Sequence, residues 1–306
     1  MMLDPDVVDG FLSASVRVAT PLLLAALGEM LAERGGVINL GVEGAMLCGA
    51  LAAALGAASG GAWTGLAASG VAGLALATIF ALAAIGARAD QIISGTATTL
   101  LAVGLTGAVY QAVFGSAGAG LSLPTLVPVP IPGLADVPVI GPSFFNQPVT
   151  TYLALVAVPL CWWFLFRTRT GLALRAVGES PEHARAAGVA ARWLQFAATV
   201  TGGAFAGLAG GTLVLAQVGT FAERMTAGRG FIAIAIVVLG RWHPVGVLGA
   251  ALLFGAATAL QFVFQAMGLA VPYQLFLMLP YVLTLLLLAG LVGGVKAPAA
   301  LGRAAE

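Results

Sequence analysis

The sequence predicts an all-α, polytopic integral membrane protein built as one membrane domain spanning residues 1–306. Two properties of the whole chain and one of its pattern lead there. Of the 306 residues, 60% are hydrophobic and only 8% charged, and the mean hydropathy is +1.04. Soluble domains carry roughly 25% charged residues, about three times as many. The apolar residues recur in runs of about 20, the length a helix needs to cross a bilayer. No polar stretch is long enough to bury a core of its own, so no soluble domain is expected. The 42 glycines suit closely packed or interrupted transmembrane helices. Cys48 and Cys161 both lie in apolar runs, which argues against a disulfide framework or a metal site. The start, MMLDPDVVDG, is acidic and lacks the basic region of a cleaved signal peptide.

In chain order, apolar segments fall near 11–32, 37–58, 62–86, 92–115, 150–166, 194–217, 230–242, 245–267 and 272–293. Several are separated only by a Gly-rich or Pro-containing break, so roughly eight to ten helices are expected, with room for re-entrant or broken segments. The long charged stretch is Arg167 to Trp193, RTRTGLALRAVGESPEHARAAGVAARW, which holds five arginines between two apolar runs. Positive charge of this density marks a cytoplasmic loop. Alternation from it places the N-terminus outside and the C-terminus inside. Ten of the thirteen basic residues then lie inside; Arg17, Arg224 and Arg229 are the exceptions. A single lysine against twelve arginines hints at a GC-rich bacterial genome. Residues 116–148 form an external loop rich in Pro and Gly, with Asp136 its one charge. Prolines at that density disfavour a regular helix and favour extended backbone. Such a loop can serve as a lid, as a contact surface for an external partner, or as a plain connection.

Within the 167–193 loop, Ser180-Pro181-Glu182 reads as a helix start. Serine can cap, proline fits the first helical position, and glutamate favours the positive helix end. The residues EHARAA then form helix readily, and Gly188 ends it. The loop thus presents a short capped helix outside the bilayer, on which something docks. A second informative stretch is Gly35 to Gly44, GGVINLGVEG. Its Asn39 and Glu43 would share a face if helical. A carboxylate near hydrocarbon faces a cavity, a partner or water. The pair could line a translocation path, or bond neighbouring helices and cap a helix end near the interface. Asp90 reads as an N-cap for the following helix. On that helix Ser94, Thr96, Thr98 and Thr99 either bond their own backbone or offer hydroxyls to a polar solute. Gln217, Gln261 and Gln265 present the same choice. Trp242 reads as an interface anchor, and His243, before Pro244, as a solvated loop residue. Glu223, Arg224 and Arg229 could pair together or meet an external partner.

Several activities find no residues to carry them. There is no GxxxxGK[ST] phosphate loop, so ATP cannot bind here in the P-loop manner. No HExxH occurs, and neither histidine has a metal-like companion. No Ser/His or paired-Asp arrangement suggests an intramembrane protease. The sequence has no persuasive internal repeat.

Three blocks resemble a known family. TPLLLAALGEMLAERGGVINLGVEGAML (20–47), GLALRAVGESPEHARAAGV (171–189) and MTAGRGFIAIAIVVLGRWHPVGVLGAALLFGAATALQ (225–261) are similar to permease subunits of bacterial ABC importers. The branch serves branched-chain amino acids, simple sugars and nucleosides, and the third block is nearest the nucleoside and simple-sugar permeases that work as unlike pairs. The resemblance implies a non-catalytic subunit in the bacterial inner membrane, with no cofactor of its own. ATP and Mg would be bound by a cytoplasmic ABC ATPase. A second homologous permease and an extracytoplasmic solute-binding protein complete the expected partners; nucleic acid is not among them. Glu179, Ser180, Pro181, Glu182, His183, Arg185 and Gly188 would form the coupling helix that docks in a groove of the ATPase. Asn39, Glu43, Ser94, Thr96, Thr98 and Thr99 would border the path of a solute, a nucleoside first, a simple sugar next and a branched-chain amino acid third. The alternative is a secondary transporter driven by an ion gradient. That machine wants several ionisable groups deep in the membrane, which Glu43 alone serves poorly.

Overall fold

A computed structural model of the protein describes residues 5–115, 122–135, 137, 140–266, 278, 282 and 296–303. In chain order the helices are α1 (Pro5–Arg34), α2 (Val42–Gly60), α3 (Ala62–Ala81), α4 (Gln91–Phe114), α5 (Ile140–Phe145), α6 (Val149–Arg167), α7 (Arg169–Glu179), α8 (Pro181–Ala186), α9 (Ala191–Thr212), α10 (Arg229–Leu239) and α11 (Pro244–Ala266). Single π-type turns prolong α3 through Gly86 and α9 through Val218. Among the described residues, seven helices are long and apolar enough to cross a membrane. The expected segment 272–293 lies outside the described residues.

The bundle is built around α9, which packs against α1, α2 and α3. Between membrane helices, close backbone approach supplies the attraction that burial of oil cannot, since lipid is equally apolar. The glycines of α9 provide it. A Cβ on Gly210 would strike the Met46 carbonyl of α2, and one on Gly202 would sit 2.5 Å from the Gly28 carbonyl of α1. Sheltered by this contact, 72% of the apolar window of α9 is buried, against 28% for α4, which stands at the bundle's edge.

Pro21 interrupts α1 without breaking it. Proline lacks the N–H that would bond the carbonyl four residues earlier, which here belongs to Arg17. The Gln217 side-chain amide donates to that carbonyl at 2.7 Å. Gln217 therefore satisfies a backbone group that hydrocarbon would leave bare.

Two of the expected spans differ from simple crossings. The 37–58 segment is helical only from Val42; residues 35–41 run as irregular backbone. Gly35 and Gly36, the latter at φ +88°, turn the chain out of α1. The 230–242 segment contains α10, whose 11 residues extend only about 16 Å, half of a hydrocarbon core about 30 Å thick. Apolar composition marked both segments as membrane-embedded, but composition does not say where a helix begins.

The 116–148 region, where described, lies down on the bundle. Leu123 and Leu126 donate backbone bonds to Gly219 and Leu215 at the end of α9. Val129–Pro130 pairs antiparallel with Asn146–Gln147. A regular helix was not expected here, yet α5 forms one short turn; Pro142 sits near its start, where proline costs no hydrogen bond. Ser143 binds Asp9 of α1 at 2.7 Å, holding the turn to the bundle.

Candidate functional site

Irregular backbone precedes both α2 (residues 35–41) and α10 (residues 219–228), and the starts of these two helices come together inside the bundle. At their junction the first turn of α2 meets the first turn of α10, and Glu43 joins them. Its Oε1 accepts from the Thr226 hydroxyl at 2.6 Å and from the Gly228 N–H at 2.9 Å. Its Oε2 accepts from the Gly230 N–H at 2.7 Å. The first N–H groups of a helix have no partner within it, and they carry partial positive charge. A carboxylate is their natural complement, so Glu43 acts as a cap supplied by a different helix. Gly230 is required for the contact, because a Cβ there would lie 2.5 Å from the Glu43 Cα.

The other end of α10 is fastened to the end of α1. Trp242 is buried and donates its indole N–H to Glu33, while Arg34 Nε donates to the Trp242 carbonyl at 2.8 Å. Trp242 is therefore not a solvent-facing interface anchor; its indole is held by a buried carboxylate. Since α10 separates Glu43 from Arg34 by about 16 Å, the α2–α10 joint lies about half a bilayer deep.

Asn39 does not share a helix face with Glu43, because it precedes α2 in the irregular segment. Its side-chain oxygen accepts from the Gly41 N–H at 2.9 Å, a local turn typical of asparagine. Its own N–H donates to Glu29 at 2.8 Å. The Thr99 hydroxyl donates to the Leu40 carbonyl at 3.0 Å, tying α4 to the same segment. Thr98 bonds the Ser94 carbonyl at 2.7 Å, and both residues are buried on the face that meets Gly41. Thr96 is apart from these: it is exposed on the opposite face among Ile92, Ile93 and Leu100, and bonds the Ile92 carbonyl. The structure thus gathers Asn39, Glu43, Ser94, Thr98 and Thr99 around the irregular segment and leaves Thr96 outside it.

Several residues of this network carry no local motif. Thr226, Gln91, Gln195 and Glu29 reach it through the fold. Gln195 donates to the Gly35 carbonyl at 2.9 Å, and Gln91 accepts from the Ile38 N–H at 2.8 Å. The one available signal was Glu29 and Glu33, two carboxylates four residues apart in the apolar run that follows Arg17 in α1. Asp90 caps α4 as expected, accepting from Ile92 and Ile93 at 2.9 Å. Arg229 braces the 219–228 segment, donating to the Met225 carbonyl at 2.9 Å.

At the arginine-rich end, α7 and α8 form an elbow outside the long helices. Ser180 is the N-cap of α8, with its oxygen near the His183 N–H at 3.4 Å and the His183 Nδ1 at 2.6 Å. Pro181 takes the first helical position, and Gly188 at φ +81° follows the end. Ala184 is the buried side chain of α8 and packs with Val177 and Ala191 in a small core. The polar side of the elbow faces a cleft of about 320 Å³. Glu179, Ser180, Pro181, Glu182, His183 and Arg185 all line it, whereas Gly188 does not. On the adjacent surface Arg175 lies over the Phe166 ring at 4.8 Å, fastening α7 to α6. His243 is half-buried and packs on Phe166, with ring centroids 5.2 Å apart, instead of standing in solvent. Burial, with the nearby Arg34 charge, lowers its pKa.

The chain matches the model of the family described as "Branched-chain amino acid transport system / permease component" over residues 11–288. Among its relatives, a guanosine ABC transporter permease protein of Bacillus subtilis, NupQ, is 39% identical, covering 94% of each chain. The nucleoside ABC transporter permease protein NupC of Lactococcus lactis is 35% identical, covering 93% of this chain and 92% of that one. A provisionally named glucose ABC transporter permease of Haloferax volcanii, TsgC13, is 44% identical over 85% of this chain and 79% of its own. No solved structure matches. A long α-helical bundle with helix ends meeting half-way through it, and a match spanning nearly its whole length, place the chain in one group: it belongs to the branched-chain amino acid transport system permease family, a family of multi-pass membrane proteins.

Proposed function

We propose that this protein is one of two unlike permease subunits of an ATP-driven importer, and that it carries a nucleoside or, second, a simple sugar. The observation that carries the importer reading is α8, a short capped helix held clear of the long helices beside an open polar cleft. A helix in that setting has no role in a secondary transporter, but it suits insertion into a groove of a cytoplasmic ATPase. ATP and Mg bind on that ATPase, and this chain performs no chemistry. The Arg-rich end faces the cytoplasm, the N-terminus faces outward, and the C-terminus faces inward, across the bacterial inner membrane. The 116–148 region then meets an extracytoplasmic solute-binding protein.

The solute assignment rests on two supports. Relatives over most of the chain are named for guanosine, nucleosides and glucose. The second support is chemical. Transporters of anionic solutes offer free helix N-termini to a carboxylate. Here the N-terminus of α10 is already occupied by Glu43, which favours an uncharged solute and disfavours an amino acid. Pairs of permeases occur among the relatives: Bacillus subtilis has both NupQ and NupP, which is 29% identical to this chain. That supports an unlike pair here.

Uptake into vesicles bearing the full complex tests the reading. Uptake should stop when ATP is withdrawn and continue when ion gradients are collapsed. The reverse pattern would identify a secondary transporter.

A further inference from the structure

The segment 296–303 bonds to three parts of the fold: the elbow, the start of the irregular segment 35–41 and the start of α4. The Ala300 N–H donates to the Gly178 carbonyl at 2.9 Å, two residues before the Ser180 cap. The Gly302 N–H donates to the Gly36 carbonyl at 3.3 Å, at the start of the irregular segment leading to Asn39 and Glu43. The Arg303 carbonyl accepts from Gln91 Nε2 at 2.9 Å, and Gln91 Oε1 in turn accepts from the Ile38 N–H at 2.8 Å. Ala300 is buried, and Gly302 adopts φ +75° to make the turn. Ala300 and Arg303 also line the cleft beside Glu182 and Arg185.

We propose that residues 296–303 are a coupling strap: they form the far wall of the docking cleft and carry movement of α8 to the 35–41 segment and the Glu43 joint. This rests on the reading that α8 docks an ATPase. The physical case is one of stiffness. Without the strap, the elbow reaches the 35–41 segment by packing, with Leu174 against Gly35 and Gly178 against the Arg34 carbonyl and Gly36, contacts without a directional bond. With it, hydrogen bonds fix the elbow, the irregular segment and the start of α4 to one short piece of backbone. Packed, hydrogen-bonded elements of this kind move together, whereas loose contacts let one slide past another. Gln91 is then a positioning residue, joining the strap to Ile38 through the two ends of one amide.

Hydrogen exchange on the intact complex, with and without a non-hydrolysable ATP analogue, tests the strap. A chain ending at Pro298 severs it, and Gln91→Glu, which keeps the acceptor for Ile38 but loses the donor to Arg303, removes its bond to α4 alone. In the parent, nucleotide should change exchange in both α8 and residues 35–44. In both variants the α8 response should persist, while the 35–44 response falls at least about twofold in the shortened chain, the lower end for mutations along a coupling path, and by less in Gln91→Glu. Equal 35–44 responses in parent and both variants would overturn the proposal, as would a parent in which α8 responds and 35–44 does not. A parent with no response at α8 would refute the docking reading and the strap with it.

Discussion

Glu43 receives three hydrogen bonds from residues 183 to 187 positions away, and it is buried. Glu43→Ala would leave one hydroxyl and two backbone N–H groups without an acceptor in an apolar setting. Each orphaned donor costs about 1–3 kcal/mol, so the variant should unfold in detergent well below the parent's melting temperature. Glu43→Gln keeps one carbonyl acceptor and should fall between the two. A tryptophan-fluorescence melt of the three proteins would check that order; equal melting temperatures would contradict the capping role. Gln217→Leu should have a smaller effect, about 0.6 kcal/mol, the mean for a hydrogen bond between membrane helices. In both cases the sequence revealed that a polar group lies in hydrocarbon, and its choice between solute and structure stayed open. The structure settles the bonding because the partners, Thr226 and the Arg17 carbonyl, are brought near only by the fold. The same holds for Trp242: an aromatic beside an arginine resembles an interface anchor until Glu33 is seen beneath it.

At the scale of elements, long apolar helices were legible because hydrocarbon demands about 20 apolar residues for a crossing. The capped α8 was legible because Ser180, Pro181 and Gly188 act locally, through hydroxyl, ring and left-handed backbone. The half-length α10 was not, since an apolar run reads the same whether helix fills it or only part of it. Nor was the departure of 35–41 from helix, where glycines permitted a break without requiring one. The role of α9 follows from its glycines, and Gly210→Val makes a clear test. Two added methyl groups and a Cβ would meet the Met46 backbone. Overpacking costs about 1–3 kcal/mol where side chains can yield, and more is expected where the obstacle is backbone. The variant should yield markedly less folded protein on size-exclusion chromatography than Gly70→Ala, whose Cβ would find ordinary contact distances. On α8, Glu182→Lys and Arg185→Glu should leave membrane insertion and yield intact, while solute-stimulated ATP hydrolysis falls several-fold. Unchanged stimulation in both would remove α8 from the coupling path.

Taken whole, the molecule has two ends of different structure and a middle that connects them. The arginine-rich end holds the elbow and cleft, the opposite end carries the covering formed by 122–135 and 140–148, and the α2–α10 joint lies between. Two helix ends meeting half-way through a bilayer are tolerated only if their backbone groups are satisfied, and Glu43 does this within a single chain. Such a joint can open without unfolding a full span, which suits a pathway that must alternate. On the proposed function, an ATPase docks on α8 and drives that alternation. The most direct measurement is recovery of partners with tagged protein from its native membrane, comparing the parent with Ala184→Pro. Proline there removes the N–H that bonds the Ser180 carbonyl at 3.0 Å and breaks α8. The parent should recover an ABC ATPase and a second permease, and the variant should keep the permease and lose the ATPase. Equal recovery of the ATPase by both proteins, or its absence from both, would contradict it.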